Sequence, residues 1–315
     1  MSDANATMPR VLPADTDGVA EAARLLLAGC PVALPTETVY GLAARADDAD
    51  AVAAIYAAKG RPDFNPLIVH VPDLATAMRL ADFDDRAIRL ADSFWPGALT
   101  LVLPRRVDAA VAPAVTAGLA TVAIRMPAHP VMRAVLAKTG VPLAAPSANR
   151  SGVVSPTCVD HVARSLANRI ELVLDGGETQ QGLESTIVAL RADGWQILRP
   201  GPITAADLAA VLGPPLTGPA SGIEAPGQLA SHYAPGKPVR LEAGDARAGE
   251  FRIGFGKDEG DFNLSPSGDL TEAASRLYAA LHAAAAAPQP RVAVVPVPRE
   301  GIGEAIADRL RRAAA

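Results

Sequence analysis

A chain of 315 residues exceeds what one hydrophobic core usually organises, which predicts two domains. Half of the residues are hydrophobic but only 4% are aromatic, so the cores are Ala, Val, Leu and Ile packing, and disorder along the whole length is excluded. The formal charge of −5 falls within residues 1–235, because 236–315 carry 11 basic and 11 acidic side chains, and with no Lys/Arg block the chain is disfavoured as a non-specific binder of long nucleic acid.

From the N-terminus, MSDANATMPR has no apolar core of signal-peptide length, and no later stretch approaches a membrane span. Cys30 and Cys158 stand alone without CxxC spacing, which fits a reducing compartment and a cytoplasmic protein. Alanine-rich helical stretches are predicted at 18–28, 49–59, 84–94, 129–138, 157–168 and 204–212. Strands are predicted at 32–34, 67–71, 99–103, 121–125, 143–145, 172–174, 185–189 and 195–198. The last two are joined through Asp193-Gly194, a hairpin signal, so the sheet is expected to be mixed rather than purely doubly wound.

Across 212–237 the texture changes. The stretch GPPLTGPASGIEAPGQLASHYAPGKP carries six prolines and five glycines, which oppose both helix and ladder, and reads as a linker or extended arm. Beyond it a second pattern follows: strand 251–255, helix 270–286, strand 292–297 and helix 303–312, enough for a small layered domain. The division expected is 1–211, 212–237 and 238–315.

Four polar clusters sit at or just past predicted strand ends, where open α/β sheets build ligand sites. The first is Pro35-Thr36-Glu37-Thr38-Val39-Tyr40-Gly41-Leu42, whose Thr36 and Thr38 can offer two hydroxyls to a small ligand, or form a polar turn. The second is Lys59-Gly60-Arg61-Pro62 followed by Asn65 and, at a strand end, His70. Both cations sit at a helix C-terminus read as exposed, where capping is the bland role, yet the Gly/Pro turn keeps them together as a grip for phosphate. The third is Pro146-Ser147-Ala148-Asn149-Arg150-Ser151-Gly152, a strand-to-loop exit rich in donors suited to an anion or nucleotide. The fourth is scattered: Thr121 with Arg125, Ser185-Thr186, and Arg199-Pro200-Gly201. There is no GxxxxGK[ST], no GxGxxG opening a helix, no HExxH and no GxSxG. The residues alone therefore describe an anion-handling site without a standard nucleotide motif.

Taken in order, PTETVYGL (35–42), KGRP (59–62), NPLIVHV (65–71), TVAIRMP (121–127), PSANRSG (146–152), STIV (185–188) and LRPG (198–201) resemble the YrdC-type family. With the arm ending in His232-Tyr233-Ala234-Pro235 and a small α/β unit after it, the chain is similar to the long two-domain form of threonylcarbamoyl-AMP synthase. The resemblance implies a YrdC-like twisted mixed sheet with helices, joined by an extended linker to a smaller C-terminal α/β (Rossmann-like) domain. It implies synthesis of threonylcarbamoyl-AMP from L-threonine, bicarbonate and ATP with loss of pyrophosphate, for modification of the tRNA adenosine beside the anticodon. Magnesium is expected to arrive on the triphosphate. The partners expected are the small substrates, the downstream tRNA threonylcarbamoyl-transfer machinery and a transient RNA contact, with no membrane.

Carried over residue by residue, the resemblance assigns Lys59, Arg61 and Asn65 to the triphosphate, with Lys59 and Arg61 as the catalytic cations. Thr121, Ser147, Asn149, Ser155 and Arg199 fall to the nucleotide. Thr36, Thr38, His70, Arg125, Ala145 and Ser185 fall near threonine, with Arg125 the partner for its carboxylate. Tyr233 would fold back over the nucleotide, making 222–235 a lid. Where the family's arm carries basic residues, this chain has uncharged Gln228-Leu229-Ala230-Ser231. The runner-up readings are an RNA-binding module without catalysis, and a carbamoyl-transfer partner related to hydrogenase maturation factors. The latter needs zinc-finger and acylphosphatase-like segments that this chain lacks.

Overall fold

A computed structural model describes residues 7–62, 64–216, 224–228 and 232–315. The first ten strands are β1 (Arg10–Pro13), β2 (Val32–Leu34), β3 (Gly41–Arg45), β4 (Ile68–His70), β5 (Leu99–Pro104), β6 (Thr121–Arg125), β7 (Leu143–Ala144), β8 (Leu172–Asp175), β9 (Thr186–Arg191) and β10 (Gly194–Arg199). They form one mixed sheet in the order β1-β8-β2-β3-β7-β4-β6-β5-β9-β10. The helices among them are α1 (Thr16–Leu27), α2 (Ala49–Lys59), α3 (Leu74–Leu80), α4 (Asp85–Phe94), α5 (Pro113–Thr116), α6 (Pro130–Thr139), α7 (Val159–Ser165) and α8 (Ala205–Leu212).

The pleat explains why the central strands read as continuous apolar runs. Successive residues point to opposite faces, and here both faces are covered. On one face Val32, Leu34 and Ala43 meet Leu25 and Leu26 of α1 and Met132, Val135 and Leu136 of α6. On the other, Ala33, Leu42 and Ala44 belong to the core that holds Val52 and Ile55 of α2 and Leu90 of α4. Aspartates start the helices: Asp15, Asp48, Asp73 and Asp84 each accept a backbone N–H at the N-cap of α1, α2, α3 and α4. Gly60 ends α2 in the left-handed region at φ 59°, which needs no Cβ.

Four elements of this part go beyond the expected set: β1, β3, α3 and α5. The largest change is β3, which begins at Gly41, inside a cluster for which no strand was expected; it pairs with β2 and β7. The expected helix 157–168 shortens to Val159–Ser165. The hairpin is present, but Gly194 pairs with Arg191, so Ala192 and Asp193 form its two-residue loop.

The last four strands, β11 (Val239–Arg240), β12 (Glu250–Gly254), β13 (Phe262–Asn263) and β14 (Arg291–Val294), form a wholly parallel sheet ordered β11-β14-β12-β13. It is accompanied by α9 (Leu270–Ala286) and α10 (Gly303–Ala313). This sheet shares its core with the first part, since Val39, Val154, Leu183 and Tyr233 join the cluster of Ile253, Leu277, Leu281 and Ile306. Among the described residues no helix is long and apolar enough to cross a membrane.

Candidate functional site

The site lies at the ends of β2, β4, β6, β7, β9 and β10. A cavity there is lined by residues from every predicted polar cluster.

After β2 the chain turns on Thr36, whose hydroxyl accepts from the N–H groups of Thr38 and Val39 (3.2 Å each) and lies 2.8 Å from Thr38 Oγ1. This local closure is the reason two threonines one residue apart face the same cavity. Arg125, the last residue of β6, reaches across: Nη1 donates to Thr38 Oγ1 (2.9 Å), Nη2 to Glu37 Oε1 (2.5 Å) and Nε to the Gly97 carbonyl (3.1 Å). The register of β4 on β6 sets His70 beside Arg125. Its Nδ1 has no partner among the described residues, and burial, with Arg125 next to it, pulls the imidazole down to about 3, so it is neutral.

The expectation that Lys59 lies at an exposed helix end is corrected. Its side chain is buried and its ammonium donates to the carbonyls of Ser147 and Asn149, tying the end of α2 to the loop after β7. Burial, and then the neighbouring Arg61, pushes its pKa well below the ordinary lysine value. Arg61 lines the cavity and is oriented by the carbonyls of Asn65 (3.1 Å) and Pro66 (2.9 Å). Burial pulls its pKa down to about 10. Arg199, at the end of β10, donates to the Ser185 carbonyl from Nε (3.1 Å) and Nη2 (3.0 Å). Three guanidinium groups thus border one cavity, against a single carboxylate, Glu184, with the hydroxyls of Thr36, Thr38, Ser147 and Ser185 among its other polar walls. That is a site built for anionic oxygen.

Of the fifteen predicted site residues, Thr36, Thr38, Arg61, His70, Arg125, Ala145, Ser147, Ser185, Arg199 and Tyr233 line the cavity. Lys59, Asn65, Asn149 and Ser155 are buried just behind it: Asn149 Nδ2 holds its own loop through the Arg150 and Val153 carbonyls, and Ser155 Oγ donates to Glu184 (2.6 Å). Thr121 begins β6, four residues from Arg125, and does not line the cavity.

Two carboxylates escaped the sequence reading. Glu184 is buried on the cavity wall and accepts from Ser155, from the Tyr278 hydroxyl (2.7 Å) and from Arg309 Nε (2.9 Å). Burial alone would raise its pKa, but Arg309 and Arg199 outweigh that and bring it down to about 2. Glu37 stands behind Arg125. The signal that could have found both is an acidic residue at the entry or exit of a buried strand, which must be paired if it is buried at all.

The second sheet's helices reach the site through this network. Arg309 of α10 also donates to the Pro200 carbonyl (2.9 Å), and its guanidinium lies 5.4 Å from the Tyr233 ring centroid. Tyr233 sits at φ 64°, stacks on Tyr278 of α9 at 5.4 Å, and lines the cavity with Pro226, Gly227 and His232. Gly227 approaches Arg199 so closely that a Cβ there would lie 2.9 Å from its Cδ. Within the uncharged arm segment, Gln228 Oε1 accepts from the N–H groups of Glu224 and Ala225, while Leu229, Ala230 and Ser231, like Gly222 and Ile223, lie outside the described residues.

Two family models match the chain. One, described as Telomere recombination, matches residues 24–201, and the other, described as Threonylcarbamoyl-AMP synthase, C-terminal domain, matches 203–315. A threonylcarbamoyl-AMP synthase of Pyrococcus abyssi is 37% identical, over 93% of this chain and 92% of that protein. One of Bacillus subtilis is 48% identical over 71% of this chain and 66% of its own length. The crystal structure of P. abyssi Sua5 complexed with L-threonine superposes with a TM-score of 0.88 at 34% identity, covering 98% of this chain and 97% of that one.

Proposed function

This chain belongs to the threonylcarbamoyl-AMP synthase family in its long two-domain form, and on that premise we propose that it converts L-threonine, bicarbonate and ATP into L-threonylcarbamoyladenylate and pyrophosphate. The product is an activated carbamoyl group for the tRNA adenosine beside the anticodon. The observation that carries this reading is the convergence of Arg61, Arg125 and Arg199 on one hydroxyl-lined cavity.

The chemistry asks for positioning and positive charge more than for a covalent nucleophile. The threonine amine attacks bicarbonate and expels water, leaving a carbamate. A carbamate oxygen then attacks the α-phosphorus as the bond to pyrophosphate breaks. In this reading Arg125 and Thr38, with Thr36, His70, Ala145 and Ser185 around them, hold threonine. Arg61, with Lys59 and Asn65 behind it, meets the triphosphate. Thr121, Ser147, Asn149, Ser155 and Arg199 serve the nucleotide.

Residues 1–211 form the catalytic unit, 212–237 the arm and 238–315 the smaller domain. Tyr233 and the arm close the cavity, because a reactive mixed anhydride must be kept from water. Mg²⁺ enters on ATP as part of the substrate. Glu184, the carboxylate on the wall, already accepts from Ser155, Tyr278 and Arg309, and phosphate oxygens and water are the natural ligands of the Mg²⁺. The setting is the cytoplasm, with the tRNA threonylcarbamoyl-transfer machinery downstream.

The test is to incubate the protein with ATP, bicarbonate and single amino acids, and to follow pyrophosphate and product mass. Release should require L-threonine and bicarbonate together. Serine should be poorer, because losing one methyl from a fitted pocket costs about 1–3 kcal/mol. Equal turnover with unrelated amino acids would refute the threonine assignment. Tight RNA binding with no turnover would favour the RNA-binding reading instead.

A further inference from the structure

Arg125 borders the cavity, but the residue that dictates how it does so is hidden behind it. Glu37 does not line the cavity, and its side chain is 6% exposed. Both of its oxygens are committed: Oε1 to Arg125 Nη2 at 2.5 Å, and Oε2 to the backbone N–H of His129 at 3.2 Å, the residue that caps α6. Burial would raise its pKa, yet Arg125 outweighs that and holds it below the ordinary carboxylate value.

A guanidinium carries five N–H groups in one plane. Glu37, Thr38 and the Gly97 carbonyl engage three of them, from two separate segments. The plane of the group is thereby fixed, and two N–H remain, one on each terminal nitrogen. Both are donors that the oxygens of an anionic ligand can accept. A long side chain held this way has already given up the rotamer freedom that binding would otherwise remove.

We propose that Glu37 is a positioning residue: it holds the Arg125 guanidinium in the plane from which its free N–H pair engages the carboxylate of threonine, and so sets affinity for the amino acid without touching it. This rests on the reading that Arg125 receives that carboxylate. Charge and orientation make opposite predictions here. As a mere negative charge, Glu37 weakens the attraction of Arg125 for an anion, and removing it should tighten threonine binding. As a positioner, its removal should loosen binding.

The experiment compares Glu37→Gln, Glu37→Asp and Arg125→Ala with the unaltered protein, measuring KM for L-threonine and for ATP, kcat, and binding of L-threonine against L-threonine amide, which lacks the carboxylate. Gln keeps an acceptor for Arg125 but turns an amide toward the His129 N–H, so it cannot hold both partners. Its threonine KM should rise roughly tenfold or more, the range expected for a misplaced binding group. KM for ATP should stay within about twofold, and the preference for threonine over its amide should shrink. Asp keeps the charge with a shorter reach and should fall between. An unchanged or lower threonine KM in Glu37→Gln, while Arg125→Ala raises it, overturns the role of Glu37. An unchanged threonine KM in Arg125→Ala instead overturns the reading of the site. Should Glu37→Gln fail to fold, the amide preference of Glu37→Asp decides: retention of the full preference counts against positioning.

Discussion

Lys59 and Arg61 stand two positions apart on one turn and do different things. Arg61 faces the cavity, and its own bonds go to the Asn65 and Pro66 carbonyls. Arg61→Ala should lose a charge-assisted contact of roughly 1.5–3 kcal/mol, a tenfold to hundredfold fall in kcat/KM, at nearly unchanged Tm. Lys59→Ala should show the same kinetic loss together with a fall in Tm of several degrees, because the buried carbonyls of Ser147 and Asn149 lose their donor. Kinetics and melting curves on the two variants separate these cases. A Lys59→Ala variant as stable as the parent would mean that the tether to the 147–149 loop adds nothing.

Between elements, the contact that matters most is α10 against the entry to β9. Arg309 is fully buried, and Glu184 is the carboxylate it meets across the two sheets. Arg309→Met should cost about 3–5 kcal/mol, since it leaves a buried carboxylate without its bonded cation. Adding Glu184→Gln to that variant should recover part of the loss, because the uncompensated charge then disappears. Denaturant titrations of the two single variants and the double variant make the comparison. Strictly additive losses would show that the pair is not coupled. The same helix pair places the arm, since Tyr233 rests on Tyr278 and beneath Arg309. The small domain therefore stands behind the wall of the site, holding Glu184 and Tyr233 in place.

At the scale of the whole molecule, all five histidines of the chain are held below their ordinary pKa, in each case chiefly by burial. His70, His161 and His232 are brought down to about 3, and His161 stacks on His282 between α7 and α9 with ring centroids 3.6 Å apart. A depressed histidine binds its proton in the unfolded chain first. Its contribution to stability is therefore complete above the unfolded pKa near 6.5 and is lost as pH falls toward the folded value. Each such group removes up to about 1.4 kcal/mol per pH unit below 6.5, with the half-buried His129 contributing less because water screens it. Tm should thus drop steeply from pH 6.5 to 5, with several protons taken up on unfolding. Thermal melts across that window check it, and a flat profile would contradict the burial of these rings.

Much of the architecture was legible in the chain itself. Apolar runs of strand length, alanine-rich helical stretches and the Pro/Gly texture after 212 are local signals, governed by backbone propensity and the two periodicities. The polar clusters were legible for a related reason, since hydroxyls, amides and cations at the ends of apolar strands have few structural uses in such density. Short elements held only by their neighbours were not: β3 exists because β2 and β7 offer it a ladder on both sides. Nor was the distinction between residues that face the cavity and those that support them. Glu37 meets Arg125 across 88 positions, Lys59 meets Asn149 across 90, and Glu184 meets Arg309 across 125. Which charges become buried, and which partner then satisfies them, depends on how distant strands and helices are brought together, and a buried charge makes that pairing obligatory only once the tertiary structure has removed the water.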